Sequence, residues 1–472
     1  MFNHILKKTL LFAVFLLVVW LVVVFYWQMT HRLPDAADVF IYFAILPLGL
    51  LLAYWVLKKF IDGIKYLLQA GGGATSGATA ATANATSQVD NTDAQERSYM
   101  LELLATAVHL PQADSPASLL DLLQEPKFEP KPSTVLQTHL GSPVLCTEVE
   151  GLSVEALREE LTPLTALHSP DHELLDSWLR SAILIQPILE SLVKSAQEYL
   201  PVPDTGQAPP TLHVHMLLPE AWPEPQRKWM GHWLKKTVFS GTWPQAKLIV
   251  TVQPCFGRLE STAVLDQWNV YLNREQLSDL CLLAAVDSAI DSTIVQDWER
   301  QDRLFSSANR KAVVPGEGAA GVLVRRVEKL STQTEDTPRI ALYRVASGRR
   351  DQSAKAGATV SGRLLSELAQ HAMRAAHVEV VSLSGIIADT DHRSQRFTEV
   401  VNAASILGEL KKEDDLVCWS PGLSMGYAGA AATLAALGAA KEHVAKEKKP
   451  VLWCLTQDEF ERAAVVINTM PA

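Results

Sequence analysis

The chain has 472 residues, 48% of them hydrophobic and 20% charged, which excludes a mostly disordered protein. Lys and Arg number 42 against 52 Asp and Glu, a net charge of −10. That balance argues against a general nucleic-acid binder, which needs a basic face to neutralise phosphate. The five cysteines, Cys146, Cys255, Cys281, Cys418 and Cys454, are odd in number and never fall at a CxxC spacing. They read as reduced thiols rather than as a disulfide framework or a zinc site.

Two apolar runs open the chain. Residues 10–27 read LLFAVFLLVVWLVVVFYW and residues 39–57 read VFIYFAILPLGLLLAYWVL. Each has about the length that crosses a hydrocarbon core of roughly 30 Å. A signal peptide is the competing reading of the first run, but its apolar stretch is too long and no small-residue cleavage site follows. Lys7 and Lys8 precede the first run, and Lys58 and Lys59 follow the second. The positive-inside rule then puts both ends in the cytoplasm. The expectation is a transmembrane hairpin over residues 1–69 in the inner membrane, a flexible Gly/Ala/Thr/Ser linker over 70–96 and a cytoplasmic domain over 97–472.

Beyond the linker, apolar strands alternate with amphipathic helices. Strands are predicted at Tyr99–Ala105, Leu212–Leu218, Leu248–Val252, Leu280–Val286, Val322–Arg326, Ile340–Val345, Val378–Leu383, Leu416–Trp419 and Val451–Thr456. Helices are predicted at His172–Glu198, Pro225–Val238, Ser261–Leu272, Gly362–His377, Gln395–Leu407 and Ala428–His443. Short strands between helices make an α/β domain with buried sheets. No internal duplication is visible in the sequence.

Several motifs invite chemistry. Gly316-Glu-Gly318-Ala-Ala-Gly321 matches GxGxxG, yet it runs into a strand where a dinucleotide fingerprint would open a helix. It reads as a glycine turn feeding a strand. Gly422-Leu-Ser424-Met-Gly426 matches the GxSxG of a nucleophile elbow, between a strand and a helix. The only later histidine, His443, lies one helix length away beside Glu442, so a triad does not converge from there; the small residues of the helix read instead as close packing between sheets. Asp389-Thr-Asp391-His392 offers three ligands without a fourth and reads as a polar loop. His213 and His215 share one strand face. Trp229 and Trp233, spaced i, i+4 among Arg227, Lys228, Lys235 and Lys236, read as the core face of an amphipathic helix.

Three segments, in chain order, resemble the β-ketoacyl synthases of the thiolase-like superfamily. They are Cys281–Ser288, Val314–Val324 (VPGEGAAGVLV, the specific part) and Met425–Ala432 (MGYAGAAA). Val378–Gly385 stands where that family's strand before its His-Gly-Thr motif belongs. The resemblance covers Leu248 to the C-terminus well and Arg97–Lys247 by length only. It implies a five-layer αβαβα domain, two sheets around a central helix layer, and a homodimer. The family's nucleophilic cysteine falls on Leu259, with Cys255 four residues early. Its two histidines fall on Ser384 and Gly426. A decarboxylative condensation needs a thiolate to hold the acyl chain and two groups to stabilise the enolate. The expectation is therefore a degenerate pseudoenzyme with no cofactor or metal. The whole architecture is similar to type VI secretion lipase adaptors. That implies a membrane-anchored adaptor that binds an effector or toxin protein and a secretion-spike component. The alternatives are a condensing or acyl-transfer enzyme with Cys255 as nucleophile and His392 recruited to it, and a serine hydrolase using Ser424.

Overall fold

The computed structural model describes residues 95–470, apart from 126–128, 169–173, 202–207, 258, 329–337, 352, 354–359 and 412–415. The chain separates into two units, 1–77 and 78–472, and every described residue belongs to the second. The apolar runs at 10–27 and 39–57 and residues 70–94 of the 70–96 linker lie outside the described residues, while residues 95 and 96 are helical. Among the described residues no helix is long and apolar enough to cross a membrane.

The first half of the domain contains β1 (Leu101–His109), β4 (Leu212–Pro219), β5 (Leu248–Cys255), β6 (Leu280–Ser288) and β7 (Glu317–Arg326). The second contains β8 (Ile340–Leu342), β10 (Gly385–Ala388), β11 (Val417–Trp419), β12 (Val451–Leu455) and β13 (Glu461–Thr469), with β9 (Ala346–Arg349) paired to β13. The spatial order of the first set is β5-β4-β6-β7-β1 and of the second β11-β10-β12-β13-β8. In both, the order is third, second, fourth, fifth, first. In both, the first three neighbours are parallel and the remaining pairings antiparallel. The two halves thus repeat one topology, which the sequence does not reveal. They join where β1 meets β8, Leu101 opposite Leu342 and Glu102 opposite Ala341. A separate hairpin, β2 (Lys131–Gln137) and β3 (Pro143–Cys146), lies outside both sets.

Alternation along the strands builds the layers, because successive side chains point to opposite faces. On β6, Leu280, Leu282, Ala284 and Val286 pack with α3 (Asp176–Gln197) and α4 (Glu224–Thr237). Cys281, Leu283 and Ala285 face the other way, toward α1 (Pro116–Gln124), α5 (Glu260–Arg274) and α10 (Gly429–Glu447). On β12, Val451, Trp453 and Leu455 meet that same central layer, while Leu452 and Cys454 face α7 (Arg363–Ala375) and α8 (Ser394–Lys411). The result is the αβαβα stack that the resemblance implies. The central helix α10 is buried on all sides from Gly429 to Ala440, as a helix enclosed by two sheets must be. Its run of alanines lets the sheets approach. The remaining helices are α2 (Glu155–His168), α6 (Ser292–Arg300) and the single turn α9 (Gly422–Met425).

Several strands differ from expectation, and β2, β3, β9 and β13 have no predicted counterpart. Residues 378–383 hold a 3-10 turn at Val380–Ser382, and the strand begins later, at Gly385. β13 carries a charged start, ERAAVVINT, that masks its period. The GxGxxG glycines stand at the mouth of β7 and inside it rather than in a turn before it. A Cβ at Gly318 would come within 2.5 Å of Leu110, and one at Gly321 within 2.7 Å of Leu192 on α3, so these glycines serve close packing.

Candidate functional site

Parallel strands in α/β sheets leave a crevice beyond their carboxyl ends. Here those ends are Pro219, Cys255 and Ser288 in the first half and Ala388, Trp419 and Leu455 in the second. Helices α5 and α10 begin beside them.

At the start of α5, Leu259 occupies the N-cap, contributes no side-chain cap and packs on the central core. Cys255 ends β5, half-buried, with Sγ 3.0 Å from the Gly257 carbonyl oxygen. Phe256, Gly257, Leu259, Glu260 and Ala263 form one side of a cleft of about 490 Å³. Arg349 and residues Asp458–Glu461 form the other side. Asp458 folds that loop onto itself, accepting hydrogen bonds from the Phe460 and Glu461 amides at 2.8 and 2.9 Å. The Arg349 guanidinium lies 4.8 Å from the Phe460 ring centre. Burial pushes the Glu260 carboxyl up. His392 is not among the described residues that line this cleft.

Beyond β10 the polar residues form a buried lattice. Asp389 accepts from the Thr456 amide at 2.7 Å and from Thr433 of α10 at 3.2 Å. Asp391 takes two bonds from the Arg393 Nε, at 3.0 and 2.8 Å. Burial alone would raise the Asp391 carboxyl, but Arg393 outweighs it and holds it below the usual aspartate range. Arg396 is buried and donates to the carbonyls of Thr456 and Asp458, and burial lowers its pKa to about 10. Glu399 is fully buried between Arg462 and Arg350. His392 sits at 2.9 Å from the Ala312 carbonyl oxygen and edge-on to Phe305. A carbonyl only accepts, so Nε2 carries the proton and donates. Burial keeps the imidazole below its ordinary pKa and hence neutral near pH 7. The Asp389–His392 stretch thus spends these groups on the protein itself, and no group of three metal-type ligands occurs among the described residues.

Ser424 lies within the helical turn α9, whereas an elbow places its nucleophile at a sharp strand-to-helix tip. Gly422 presses against the Thr390 carbonyl, where a Cβ would come to 2.1 Å. His443 is 14 residues along α10, about 21 Å at 1.5 Å per residue. It bonds Ser384 at 2.9 Å and leans on the Trp419 ring. Ser384 precedes β10 and bonds the Pro450 carbonyl, so it belongs to the amino ends of the strands, away from the crevice. Ser384, where the resemblance places a histidine, thus lies at the end of β10 opposite the crevice. Gly426, the second expected position, adopts φ +59° and lies against Thr147 and Val314.

The other candidates resolve simply. Trp229 and Trp233 are buried and stacked at 6.2 Å, part of the outer core. His213 pairs with Asp279 at 3.1 Å, and His215 packs edge-on against Trp268. Sequence reasoning missed the buried charges Arg180, Glu317, Glu399 and Arg462. Only Glu317 of β7 and Arg462 of β13 leave a signal, a charge at the head of an apolar strand.

No family model matches the chain. No curated protein matches it either. Solved structures do resemble it. One is a type II polyketide synthase ketosynthase, bound to a hexaketide and in complex with its acyl-carrier protein; it is 11% identical, with TM-score 0.57, covering 79% of this chain and 100% of that one. The ketosynthase from module 6 of the bacillaene synthase of Bacillus subtilis 168 is 13% identical, with TM-score 0.54, covering 79% and 72%. An oxazolomycin synthase ketosynthase domain from Streptomyces albus JA3453 is 12% identical, with TM-score 0.52, covering 79% and 75%. The fold is therefore of ketosynthase, thiolase-like type. The narrower resemblance to secretion adaptors has no counterpart among these structures.

Proposed function

We propose that the chain is a non-catalytic scaffold of ketosynthase type that binds a protein partner, held at the inner membrane by residues 10–27 and 39–57. One observation carries this reading: beyond β10, Asp389, Asp391 and Glu399 are each held by partners within the protein, and α5 opens on Leu259. A condensation needs a nucleophile and enolate-stabilising groups free to meet the substrate. Anchoring raises the effective concentration of a captured partner near the membrane. Delivery of an effector or toxin to a secretion spike rests on the resemblance of the architecture alone.

A second reading has a specific observation in its favour. Cys255 ends β5 one residue before the cleft wall at Phe256, in a fold shared with ketosynthases. In that reading the chain is an acyl-transfer or condensing enzyme. The deciding experiment incubates the detergent-purified full chain with acyl-CoA and with acylated carrier protein, followed by intact mass. The scaffold reading expects no adduct and unchanged partner capture by Cys255→Ala. An acyl adduct that Cys255→Ala removes overturns it.

A further inference from the structure

The segment after β3 is pinned to the domain centre. The Thr147 amide donates to the Pro315 carbonyl at 2.9 Å, and its hydroxyl to the Met425 carbonyl at 2.7 Å. The Val149 amide donates to Glu317 at 2.8 Å. Glu317 is fully buried and also receives Arg180 Nε at 2.7 Å and Ser288 at 2.8 Å, so its oxygens are saturated and the Arg180 charge is matched. Glu148 stands between the two pinned residues. It lines a cleft of about 430 Å³ with Pro111, Pro132, Val135 and Leu152 as apolar walls. Glu148 accepts no hydrogen bond and makes no ion pair among the described residues. The nearby lysine, Lys131, is already held by Glu150 at 2.8 Å. The hairpin bordering the cleft exposes 70% of Val135 and 78% of Leu140, large apolar side chains left without cover.

We propose that this cleft receives a lysine side chain of the partner protein, its ammonium on Glu148 and its methylenes along Val135 and Pro132. The charge and the shape ask for the same group. Arg180 lines the same cleft and attracts Glu148, but its charge is matched by Glu317, so the Glu148 carboxylate gains from a second cation, and a four-carbon stem covers apolar wall while the head stays polar. The rigid floor costs little ordering on binding. The proposal rests on the scaffold reading and names its recognition site.

The test uses the detergent-purified full chain and a fluorescent pentapeptide with a central lysine flanked by valines, read by anisotropy. The control peptide carries norleucine in place of lysine. The lysine peptide should bind about tenfold more tightly, equivalent to about 1.4 kcal/mol. Glu148→Gln should reduce that preference below about twofold with an unchanged melting temperature, while Glu150→Gln keeps it. Should Glu148→Gln misfold, Glu148→Ala is read instead, with its melting curve as the control. Equal binding of the two peptides, or a preference that survives loss of the Glu148 carboxylate in a folded variant, overturns the proposal. The acylation experiment separates the two failures: a Cys255 adduct sinks the scaffold reading, whereas peptide failure without an adduct sinks only this site.

Discussion

Arg462 and Glu399 meet in a two-bonded ion pair, 2.8 and 2.9 Å, with neither side chain exposed. Arg350 joins the same carboxylate at 2.8 Å. Burying three charges is tolerable only while all are paired. Glu399→Gln should therefore destabilise the domain by about 3–5 kcal/mol, because two guanidinium groups lose their counter-charge. Urea unfolding measures it. A loss under about 1 kcal/mol would mean that water reaches the site.

Glu102 provides the pH test. It lies on β1 at the seam between the halves, bonded by Arg325 of β7 and by Arg339 just before β8. Burial alone would raise its carboxyl, but Arg339 and Arg325 outweigh burial and set it below the ordinary 4.5. Its contribution is complete above the unfolded value and is lost as pH falls through the lower folded value. Urea midpoints taken downward from pH 5 should fall more steeply for the native chain than for Glu102→Gln. Parallel curves would remove Glu102 from the acid response.

Two glycines should respond in opposite directions. Gly429 has φ +53°, and a Cβ there would come to 2.2 Å from the Asp287 carboxylate, so Gly429→Ala should cost roughly 1–3 kcal/mol or more. Gly438 lies inside α10 with nothing nearer than 3.5 Å to an added Cβ. Gly438→Ala should gain about 0.5–1 kcal/mol through helix propensity. Melting temperatures of the two variants decide it.

Thiol labelling should divide the cysteines. Burial pushes Cys146 up to about 11 and raises Cys281 and Cys454 as well. Cys255 and Cys418 are half-buried. Iodoacetamide at pH 8 should alkylate these two in the folded chain and all five only after unfolding. Prompt native labelling of Cys281 would contradict the described core.

The α/β class, the central helix and most strands follow from runs such as LCLLAAV and AAATLAALGAA, whose hydrophobicity leaves them nowhere to go but inside. The strand expected at 378–383 failed because VEVVS has β-branched content, yet the chain turns there before entering the sheet at Gly385. β13 escaped notice because Glu461 and Arg462 open it, and the burial of Arg462 depends on Glu399, 63 residues away. Glu148 was invisible for the same reason. A carboxylate without a partner is defined by what surrounds it in space, and a single sequence does not hold that information.

Helix α10 also bears on how such a chain drifts. Between two sheets, an alanine enlarged to leucine forces overpacking of about 1–3 kcal/mol, whatever the protein does for its cell. A fold so tightly filled at its centre can be followed to ketosynthase structures at 11–13% identity.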